Sequence, residues 1–409
     1  MNQLKTASLS ATSTLYPVLL TISLVHLLND SIQSVIPAIF PIIQQTLHLT
    51  YFELGCIAFA NNFVASIMQP VIGWYTDSKP LPYLLPIGMA FTLAGMLGLA
   101  FSFSLGLIIL SVTLVGIGSA VFHPEASRVV VMAAGQRRGL SQSIFQVGGN
   151  AGQSLAPIMT ILIFVPLGQF GAIWFTVIAA IAIILLMYIA SWYRQQLLVY
   201  EFPVRKERTV TATNKSRNKK VGFALFLIVF LVFVRAFYGA GITNFYAFYL
   251  IENYGLSIKD AQFYVFLYLV AAAVGILSGG PLSDRFGKKN VILYSMIASA
   301  PLSIILPHVS LAWTYPLLLL NGFVVVSSFS VTLVYALELI PGKVGMISGM
   351  VFGLSFGMAA VGAIALGGLA DVMGLKFIMV LCGFLPALGI LTVFLPSEKQ
   401  IKEWNAENA

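Results

Sequence analysis

Residues 280–289 read Gly-Pro-Leu-Ser-Asp-Arg-Phe-Gly-Lys-Lys and connect one long apolar run to the next. An earlier junction, residues 73–80, reads Gly-Trp-Tyr-Thr-Asp-Ser-Lys-Pro, so the glycine and the aspartate recur at an offset of 207 residues. Gly116 recurs as Gly322 at an offset of 206 residues. Self-similarity across half of a chain indicates an internal duplication, with two copies of one structural unit.

The composition is that of an integral membrane protein. Of 409 residues, 59% are hydrophobic and 9% are charged, whereas a soluble domain carries roughly 25% charged residues. Residues 80–124, 139–193 and 290–337 contain no Asp, Glu, Lys or Arg. Each stretch is more than twice the ~20 residues that one helix needs to cross the hydrocarbon core. Such unbroken apolar runs exclude an outer-membrane barrel, in which apolar and polar residues alternate.

Twelve apolar segments are predicted to cross the membrane as helices, with breaks at Gly, Pro, Ser or charged residues. The first is expected to be retained, because the residues before it lack the pattern of a removable signal peptide. Spans 1 to 12 are predicted at residues 16–43, 52–76, 82–102, 105–133, 140–165, 170–193, 222–250, 260–282, 290–308, 312–338, 345–370 and 375–395. The predicted fold class is therefore all-α and integral to the membrane.

Lys and Arg are unevenly distributed between the connections. With a cytoplasmic amino terminus, 18 of the 22 lie in cytoplasmic segments, Lys259 and Lys376 lie outside, and Arg128 and Arg235 lie within spans. This bias predicts that both termini face the cytoplasm. The formal net charge of +8 follows from that topology, so no nucleic-acid partner is expected.

The longest polar stretch, residues 194–220, contains eight Lys or Arg and divides the spans into two groups of six. We predict an N-terminal bundle over residues 1–193, a basic cytoplasmic linker over 194–220, and a C-terminal bundle over 221–409. A polybasic segment beside a span can hold anionic lipid headgroups, so membrane lipid is a candidate partner of the linker, and plain tethering of the two bundles is the alternative. Parallel repeats of this kind place a substrate site between the bundles, near the bilayer midplane, and alternate access to it by rocking. The expected architecture is two pseudo-symmetric six-helix bundles around a central cavity.

The second junction resembles the signature Gly-x-x-x-Asp-Arg-x-Gly-Lys-Lys that the major facilitator superfamily carries after its eighth helix. The first junction departs from that pattern, with Ser78 where the family usually has Arg. In this family the two junctions tie the halves together in the outward-facing state, which implies a conformational latch here. The latch residues would be Gly73, Asp77, Gly280, Asp284, Arg285, Gly287 and Lys288.

Within the superfamily, the chain is similar to the fosmidomycin-resistance efflux group. The resemblance covers essentially the whole chain and is carried by His-Leu-Leu-Asn-Asp at residues 26–30, Val-Phe-His-Pro-Glu-Ala-Ser-Arg at 121–128, and Ser-Gln-Ser-Ile-Phe-Gln-Val-Gly-Gly-Asn at 141–150. It implies proton-driven export of small anionic phosphonate-type antibiotics across the bacterial inner membrane. No cofactor is expected, and we expect a monomer.

Ionisable residues within spans are candidate proton carriers, because a charge at the bilayer centre costs at least ~2.5 kcal/mol. His26 and Asp30 are four residues apart and share one face of span 1. We predict that Asp30 couples transport to protons and that His26 tunes it or relays the proton. Glu125 and Arg128 of span 4 are three residues apart, which favours an ion pair with Glu125 as a second carrier.

His123 is also a proton-coupling candidate in span 4. A metal site at His123 and Glu125 is disfavoured, because side chains two residues apart on a helix diverge and no third ligand is evident nearby. The alternative for all of these buried polar groups is a structural one, in which they form fixed hydrogen bonds between helices.

Arg235 is the candidate anion-binding residue. It lies within span 7, aligns with Asn29 at an offset of 206 residues, and offers a bidentate fork to phosphonate or carboxylate oxygens. Alternatively, Arg235 is a permanent partner of Asp30 or Glu125. Other polar residues expected to contact the substrate are Asn29, Gln33, Gln142, Gln146, Asn150, Tyr238 and Tyr246.

Proton symport, a membrane-embedded enzyme and a channel are the alternatives to export. A proton symporter importing a small organic anion would use the same residues, because the sequence does not encode the direction of transport. A membrane-embedded enzyme is disfavoured, since no His-Glu-x-x-His motif occurs, and no Gly-x-x-x-x-Gly-Lys-Ser/Thr motif indicates an ATP site. A channel is disfavoured by the internal duplication, which alternating access uses.

Overall fold

The computed structural model describes residues 13–135, 137–197, 215–340 and 344–406. Within these residues every regular element is helical and no strand occurs. This follows from the apolar composition, because a segment in hydrocarbon must satisfy its own backbone polar groups, and a helix does so within one segment. The predicted all-α class is confirmed.

The helices follow the predicted spans closely. Spans 1 to 6 are Tyr16–Ala38 with Phe40–Leu47, Tyr51–Ser78, Leu84–Ala100, Leu105–Ala133, Arg138–Met159 and Ile173–Gln196. Spans 7 to 12 are Lys215–Tyr254, Ile258–Phe286, Lys288–Ile305, Leu311–Ser327 with Phe329–Leu339, Val344–Met373, and Leu375–Phe384 with the 3-10 segment Leu385–Phe394. A final helix, Glu398–Ala406, follows span 12.

Ten of the described segments are long and apolar enough to cross a membrane, and Leu84–Ala100 is a shorter apolar helix. One of the ten, Leu140–Gln196, has 57 residues, more than twice what one crossing needs. It contains two long helices separated by a π turn at Thr160–Phe164, a single helical turn at Val165–Leu167 and a 3-10 turn at Gly168–Ala172. The described residues thus form twelve membrane-crossing helices, as predicted.

The surface of the described residues is suited to lipid. Trp74, Phe103 and Val372 are 76%, 80% and 81% exposed. Large exposed apolar surface is rare on soluble monomers. These side chains are therefore expected to face acyl chains.

Some helix boundaries differ from the prediction. Span 7 begins at Lys215 rather than near residue 222, so the end of the predicted linker is helical, while residues 198–214 lie outside the described residues. Span 1 is interrupted at Ile39, because Pro37 near the end of the first helix and Pro41 in the first turn of the next both lack a backbone donor. Span 10 is interrupted at Ser328.

The contacts divide the chain into two compact units. The first comprises Met1–Leu49 and Cys56–Val204, and the second comprises Thr50–Gly55 and Arg205–Ala409. The short segment belongs to the second unit because the backbone N–H groups of Tyr51 and Phe52 each donate to the Asp371 carboxylate at 2.8 Å. A carboxylate at a helix amino terminus satisfies donors that the helix itself leaves free.

In the first unit, glycines bring spans 1 and 5 into backbone contact. A Cβ atom on Gly148 would lie 2.2 Å from the carbonyl oxygen of Ser23, and one on Gly152 would lie 2.3 Å from that of Leu27. No larger residue fits at either position without moving a helix. This close approach holds the polar side chains of the two spans against each other.

The duplicated glycines have the same role in each unit. A Cβ atom on Gly116 would lie 2.6 Å from the carbonyl oxygen of Asn61, and one on Gly322 would lie 2.6 Å from that of Tyr268. These contacts join spans 2 and 4 in the first unit and spans 8 and 10 in the second. The sequence repeat therefore corresponds to a repeated helix contact.

Candidate functional site

A histidine–aspartate cluster, formed by His26, Asp30 and His123, lies in the first unit. The His26 Nε2 atom is 3.4 Å from the Asp30 Oδ2 atom, and the His123 Nε2 atom is 3.8 Å from the Asp30 Oδ1 atom. The side chains of His26 and Asp30 are 4% and 7% exposed, whereas that of His123 is 23% exposed. The i, i+4 spacing predicted the first contact, and packing between spans 1 and 4 adds the second imidazole.

The His26 ring is fixed by span 5. Its Nδ1 atom is 2.8 Å from the carbonyl oxygen of Phe145, and its ring stacks on the Phe145 ring at a centroid distance of 4.0 Å. Gly149 leaves room for this arrangement, because a Cβ atom there would lie 2.5 Å from the His26 Nε2 atom and 2.9 Å from the Asp30 Oδ2 atom. The position and orientation of the imidazole are thus set by a neighbouring helix.

Two amides donate to the Asp30 carboxylate. The Asn29 Nδ2 atom donates to Oδ1 at 3.0 Å, and the Gln153 Nε2 atom donates to Oδ2 at 3.0 Å. Asn29, predicted to contact substrate, is fully buried beside Asp30. Gln153 continues the helical spacing of Gln142, Gln146 and Asn150 along span 5.

His26, Asp30 and His123 also offer the atoms of a candidate metal site, since one ligand atom from each lies within 4.8 Å of the others. Two imidazoles and a carboxylate form a ligand set that zinc uses. The spacing within span 1 predicted that His26 and Asp30 lie together, but no local pattern indicated that His123 of span 4 would join them.

Glu125 lies in a second network of the first unit. The ion pair predicted from the i, i+3 spacing is present, with the Arg128 NH2 atom 3.6 Å from the Glu125 Oε1 atom. The Tyr193 hydroxyl donates to the Glu125 Oε2 atom at 3.3 Å. Arg128 also donates to Thr76, through NH2 to its hydroxyl at 3.1 Å and through NH1 to its carbonyl oxygen. Glu125 is fully buried, so its charge is balanced within the network.

The other polar residues of spans 1 and 5 are more accessible. Gln142 is exposed, and Gln33, Gln146 and Asn150 are half-buried. Within the described residues, the Nε2 atom of Gln33 is buried without a hydrogen-bond partner.

An arginine cluster, formed by Arg235, Ser295, Ser328 and Thr332, lies in the second unit. Arg235 is 8% exposed. Its NH2 atom donates to the Ser328 hydroxyl at 2.6 Å and its NH1 atom to the Thr332 hydroxyl at 3.5 Å. The Ser295 hydroxyl in turn donates to Ser328. In the sequence, these two partners are indicated by the four-residue spacing between Ser328 and Thr332, where span 10 is interrupted.

In the described part of its unit, Arg235 is bonded to hydroxyl groups rather than to an acid. Within the described residues, no carboxylate forms an ion pair with it, and its Nε atom is buried without a hydrogen-bond partner. Pairing of Arg235 with Asp30 or Glu125, which lie in the first unit, stays an alternative prediction from the sequence. A buried, permanently charged guanidinium without a counter-ion is costly unless an anion completes the site.

Tyr238 and Tyr246, the two tyrosines predicted to contact the substrate, follow Arg235 along span 7 and are buried. The Tyr238 hydroxyl donates to the Asn321 side-chain oxygen at 2.9 Å. Tyr246 is 1% exposed, and in the described part of the chain its hydroxyl has no hydrogen-bond partner.

The predicted latch residues of the second junction lie at a helix boundary. Gly287 ends span 8 with a positive φ of 83°, which glycine adopts without strain. The Lys288 Nζ atom is 3.1 Å from Glu338 and 3.9 Å from Glu398. Lys288 therefore joins the end of span 10 to the final helix within the second unit. Asp284, Arg285 and Gly280 are exposed.

At the first junction, Gly73 is half-buried, and the side chain of Asp77 lies outside the described residues. The latch stays a prediction at both junctions.

A Gly-Leu-Ser-Phe-Gly sequence at residues 353–357 matches the nucleophile pattern Gly-x-Ser-x-Gly. That motif requires a sharp turn between a strand and a helix. Here it lies within the helix Val344–Met373, and the Ser355 hydroxyl donates to the Val351 carbonyl oxygen at 2.6 Å. The match is therefore not a catalytic elbow.

The sequence profile of the Major Facilitator Superfamily matches residues 22–351. The chain belongs to the major facilitator superfamily. Two superfamily relatives match 96% of this chain and 96% of their own length. One is an uncharacterised transporter of this type, YfnC of Bacillus subtilis strain 168, with 52% identity. The other is the fosmidomycin resistance protein of Escherichia coli strain K12, with 45% identity.

Solved structures of superfamily transporters share the fold. A bacterial homologue of the human lysosomal transporter Spinster, in an inward-facing and unoccupied conformation, has a TM-score of 0.70 at 16% identity and covers 95% of both chains. The nucleoside transporter NupG has a TM-score of 0.69 at 14% identity, covering 92% of this chain and 98% of its own. At these identities the likeness establishes the fold alone.

Proposed function

We propose that the chain is a proton-coupled antiporter that exports small phosphonate-type antibiotics of the fosmidomycin or fosfomycin class across the bacterial inner membrane by alternating access. The observation that carries the proposal is Arg235, a buried guanidinium with no carboxylate partner within the described residues. The relative named as a fosmidomycin resistance protein, with 45% identity, supports the substrate class.

The arginine cluster suits a small anion. Charged residues inside membrane spans generally pair or mark a substrate path. The free Nε atom and the NH2 atom of a guanidinium form a fork that matches two oxygens of a phosphonate. Ser328 and Thr332 already orient the guanidinium, so little ordering remains for substrate binding.

We assign the binding of the coupling protons to the first unit. Its buried acids, Asp30 and Glu125, lie beside His26, His123 and Arg128, which are groups able to exchange protons with them or balance their charge. An inward gradient of ~150 to 200 mV releases about 3.5 to 4.6 kcal/mol per proton. At 1.4 kcal/mol per tenfold, one proton sustains a substrate gradient of roughly several hundredfold to a few thousandfold. Reciprocal linkage then requires that substrate binding release protons.

Import of a small organic anion by proton symport is the second candidate. A probable sulfoacetate transporter, SauU of Cupriavidus necator, is 24% identical over 266 residues, covering 61% of this chain and 60% of its own. Its name refers to a small organic anion, which the same arginine would suit.

Proteoliposomes with an imposed pH gradient distinguish the two candidates. Antiport predicts that an acidic interior drives fosmidomycin uptake, because protons leave as the drug enters. Symport predicts uptake with an acidic exterior. The result is independent of how the protein inserts, since the gradient sets the direction. Equal, non-saturable flux with either gradient, or binding restricted to cationic drugs, would contradict the proposal.

A further inference from the structure

We propose that the histidine–aspartate cluster binds one divalent transition-metal ion of the Zn²⁺ class, held by the Nε2 atoms of His26 and His123 and by the Asp30 carboxylate. Such a site goes beyond the proposed transport function and does not depend on the substrate or on the direction of transport. The ion would join span 1 to span 4 within the first unit. His123 thereby gains two further ligands from span 1, whereas the sequence offered it only the diverging Glu125.

The distances within the cluster fit a shared metal ion better than direct hydrogen bonds. The His26 and His123 Nε2 atoms lie 3.4 Å and 3.8 Å from the Asp30 oxygens. A charge-assisted hydrogen bond between nitrogen and oxygen spans about 2.7 to 2.9 Å, so both separations are long for such a bond. Around a tetrahedral ion with ligands at ~2.0 to 2.1 Å, neighbouring ligand atoms lie roughly 3.3 to 3.4 Å apart. The first separation matches this value, and the second requires a shift of about 0.4 Å.

The backbone partner of His26 prepares its Nε2 atom as a ligand. The Phe145 carbonyl oxygen, 2.8 Å from Nδ1, can only accept, so Nδ1 carries the hydrogen of the neutral ring. The lone pair of that ring therefore lies on Nε2, which faces Asp30. Metal-ligating histidines almost always donate their other ring N–H to a carbonyl, a carboxylate or a water molecule. The contact with Phe145 is such a supporting bond.

The Asp30 carboxylate is supported in the same way. The side-chain amides of Asn29 and Gln153 each donate to one of its oxygens at 3.0 Å. Carboxylates that ligate a metal are in turn held by hydrogen bonds of this kind. Two of the three ligands are thus oriented by neighbouring side chains and backbone before an ion binds, so little ordering is left for binding.

The ligand atoms select the kind of ion. Two imidazole nitrogens suit Zn²⁺ and other late transition metals, whereas Mg²⁺ and Ca²⁺ prefer oxygen ligands. Two histidines and one carboxylate also form the ligand set of zinc sites that keep a fourth position for water. His123 gives access to the cluster, because its side chain is 23% exposed while those of His26 and Asp30 are 4% and 7% exposed.

Titration with Co²⁺, followed by visible absorption, tests the site on the purified full-length protein without a polyhistidine tag. The chain has four histidines, of which His48 and His308 are exposed and lie outside the cluster. Wild-type protein and the double variant His48→Gln with His308→Gln should both bind one Co²⁺ with the spectrum of four-coordinate geometry, and Zn²⁺ should displace it. His26→Gln and His123→Gln should each abolish that spectrum.

Three results would overturn the proposal. They are the absence of the four-coordinate spectrum in wild-type protein, its persistence in His26→Gln or His123→Gln, and its loss in the double control variant. If His26→Gln does not fold, His123→Gln decides, because its side chain is the more exposed of the two. Thermal unfolding gives a second readout, since Zn²⁺ should raise the midpoint of wild type and of the control variant but not that of His123→Gln.

The role of the carboxylate is tested through its support. Gln153→Ala removes no ligand atom but takes a hydrogen bond from Asp30, and loss of such a partner lowers metal affinity roughly 10- to 100-fold. Gln146→Ala is the matched control on the same helix and should bind Zn²⁺ as wild type does. Affinity unchanged in both Gln153→Ala and Asp30→Asn would remove the carboxylate from the site. None of these measurements uses fosmidomycin, so failure of the metal site and failure of the proposed export are separate results.

Discussion

The Arg235 guanidinium donates to the hydroxyl of Ser328 at 2.6 Å, at the interruption of span 10. Through this bond and the one to Thr332, hydroxyl groups hold the arginine in place while leaving its charge unbalanced within the described residues. Neutral partners orient a cation without neutralising it. This arrangement leaves the electrostatic attraction available for an incoming anion.

Replacement of Arg235 by lysine should weaken fosmidomycin binding roughly 10- to 100-fold. Lysine keeps the charge but lacks the planar fork, and a hydrogen bond to a charged group contributes about 1.5 to 3 kcal/mol. Isothermal titration of the purified variant provides the measurement. Ser328→Ala, which keeps the guanidinium and removes one orienting bond, should have a smaller effect. Equal affinity of wild type and Arg235→Lys would exclude bidentate recognition.

Arg128→Met should destabilise the protein more than Glu125→Gln does. Removing Arg128 leaves the fully buried Glu125 without its cation, and loss of one partner of a buried pair costs about 3 to 5 kcal/mol. Removing the acid leaves Arg128 bonded to Thr76. Thermal unfolding of the purified variants measures the difference.

The double variant Glu125→Gln with Arg128→Met serves as the control, because it leaves no unbalanced charge. It should recover much of the stability lost in Arg128→Met alone. Additive losses in the double variant would show that the two charges do not interact.

Gly149→Ala should impair proton coupling without removing any titratable group. The added methyl would lie 2.5 Å from the His26 Nε2 atom, so the ring must move away from Asp30. We expect loss of fosmidomycin transport driven by a pH gradient, with the protein still folded. Gly106→Ala is the matched control in the same unit, since no atom lies within 4 Å of a Cβ atom there. Unchanged coupling in Gly149→Ala would mean that the cluster tolerates displacement.

The fold could be predicted well from the sequence because hydrocarbon offers no hydrogen-bond partners to the backbone of a membrane-spanning segment. Segments such as Leu105–Ala133 must be helical to satisfy their own backbone, so composition and length suffice to place them. The candidate site was predicted less completely. The His26–Asp30 contact follows from spacing within one helix, whereas the approach of His123 depends on how spans 1 and 4 pack, which no local pattern encodes.

The repeat was the one tertiary feature that the sequence disclosed. Gly116 and Gly322 were recognisable as equivalent positions, and each lies against a backbone carbonyl of a neighbouring span in its own unit. Their partners, Asn61 and Tyr268, differ in chemistry and therefore left no matching signal. Equivalent positions of the two repeats can be recognised in the sequence only where a backbone contact restricts which residue fits.

Gly116→Ala and Gly322→Ala should therefore destabilise the protein to a similar extent. Each methyl would lie 2.6 Å from a carbonyl oxygen, and overpacking of this kind costs about 1 to 3 kcal/mol. Gly280→Ala is the control, because it also lies in a helix but has no atom within 4 Å of its Cβ position. Thermal unfolding should show comparable losses for the first two variants and none for the third. A loss confined to one of the two would mean that the repeats no longer share this contact as a structural requirement.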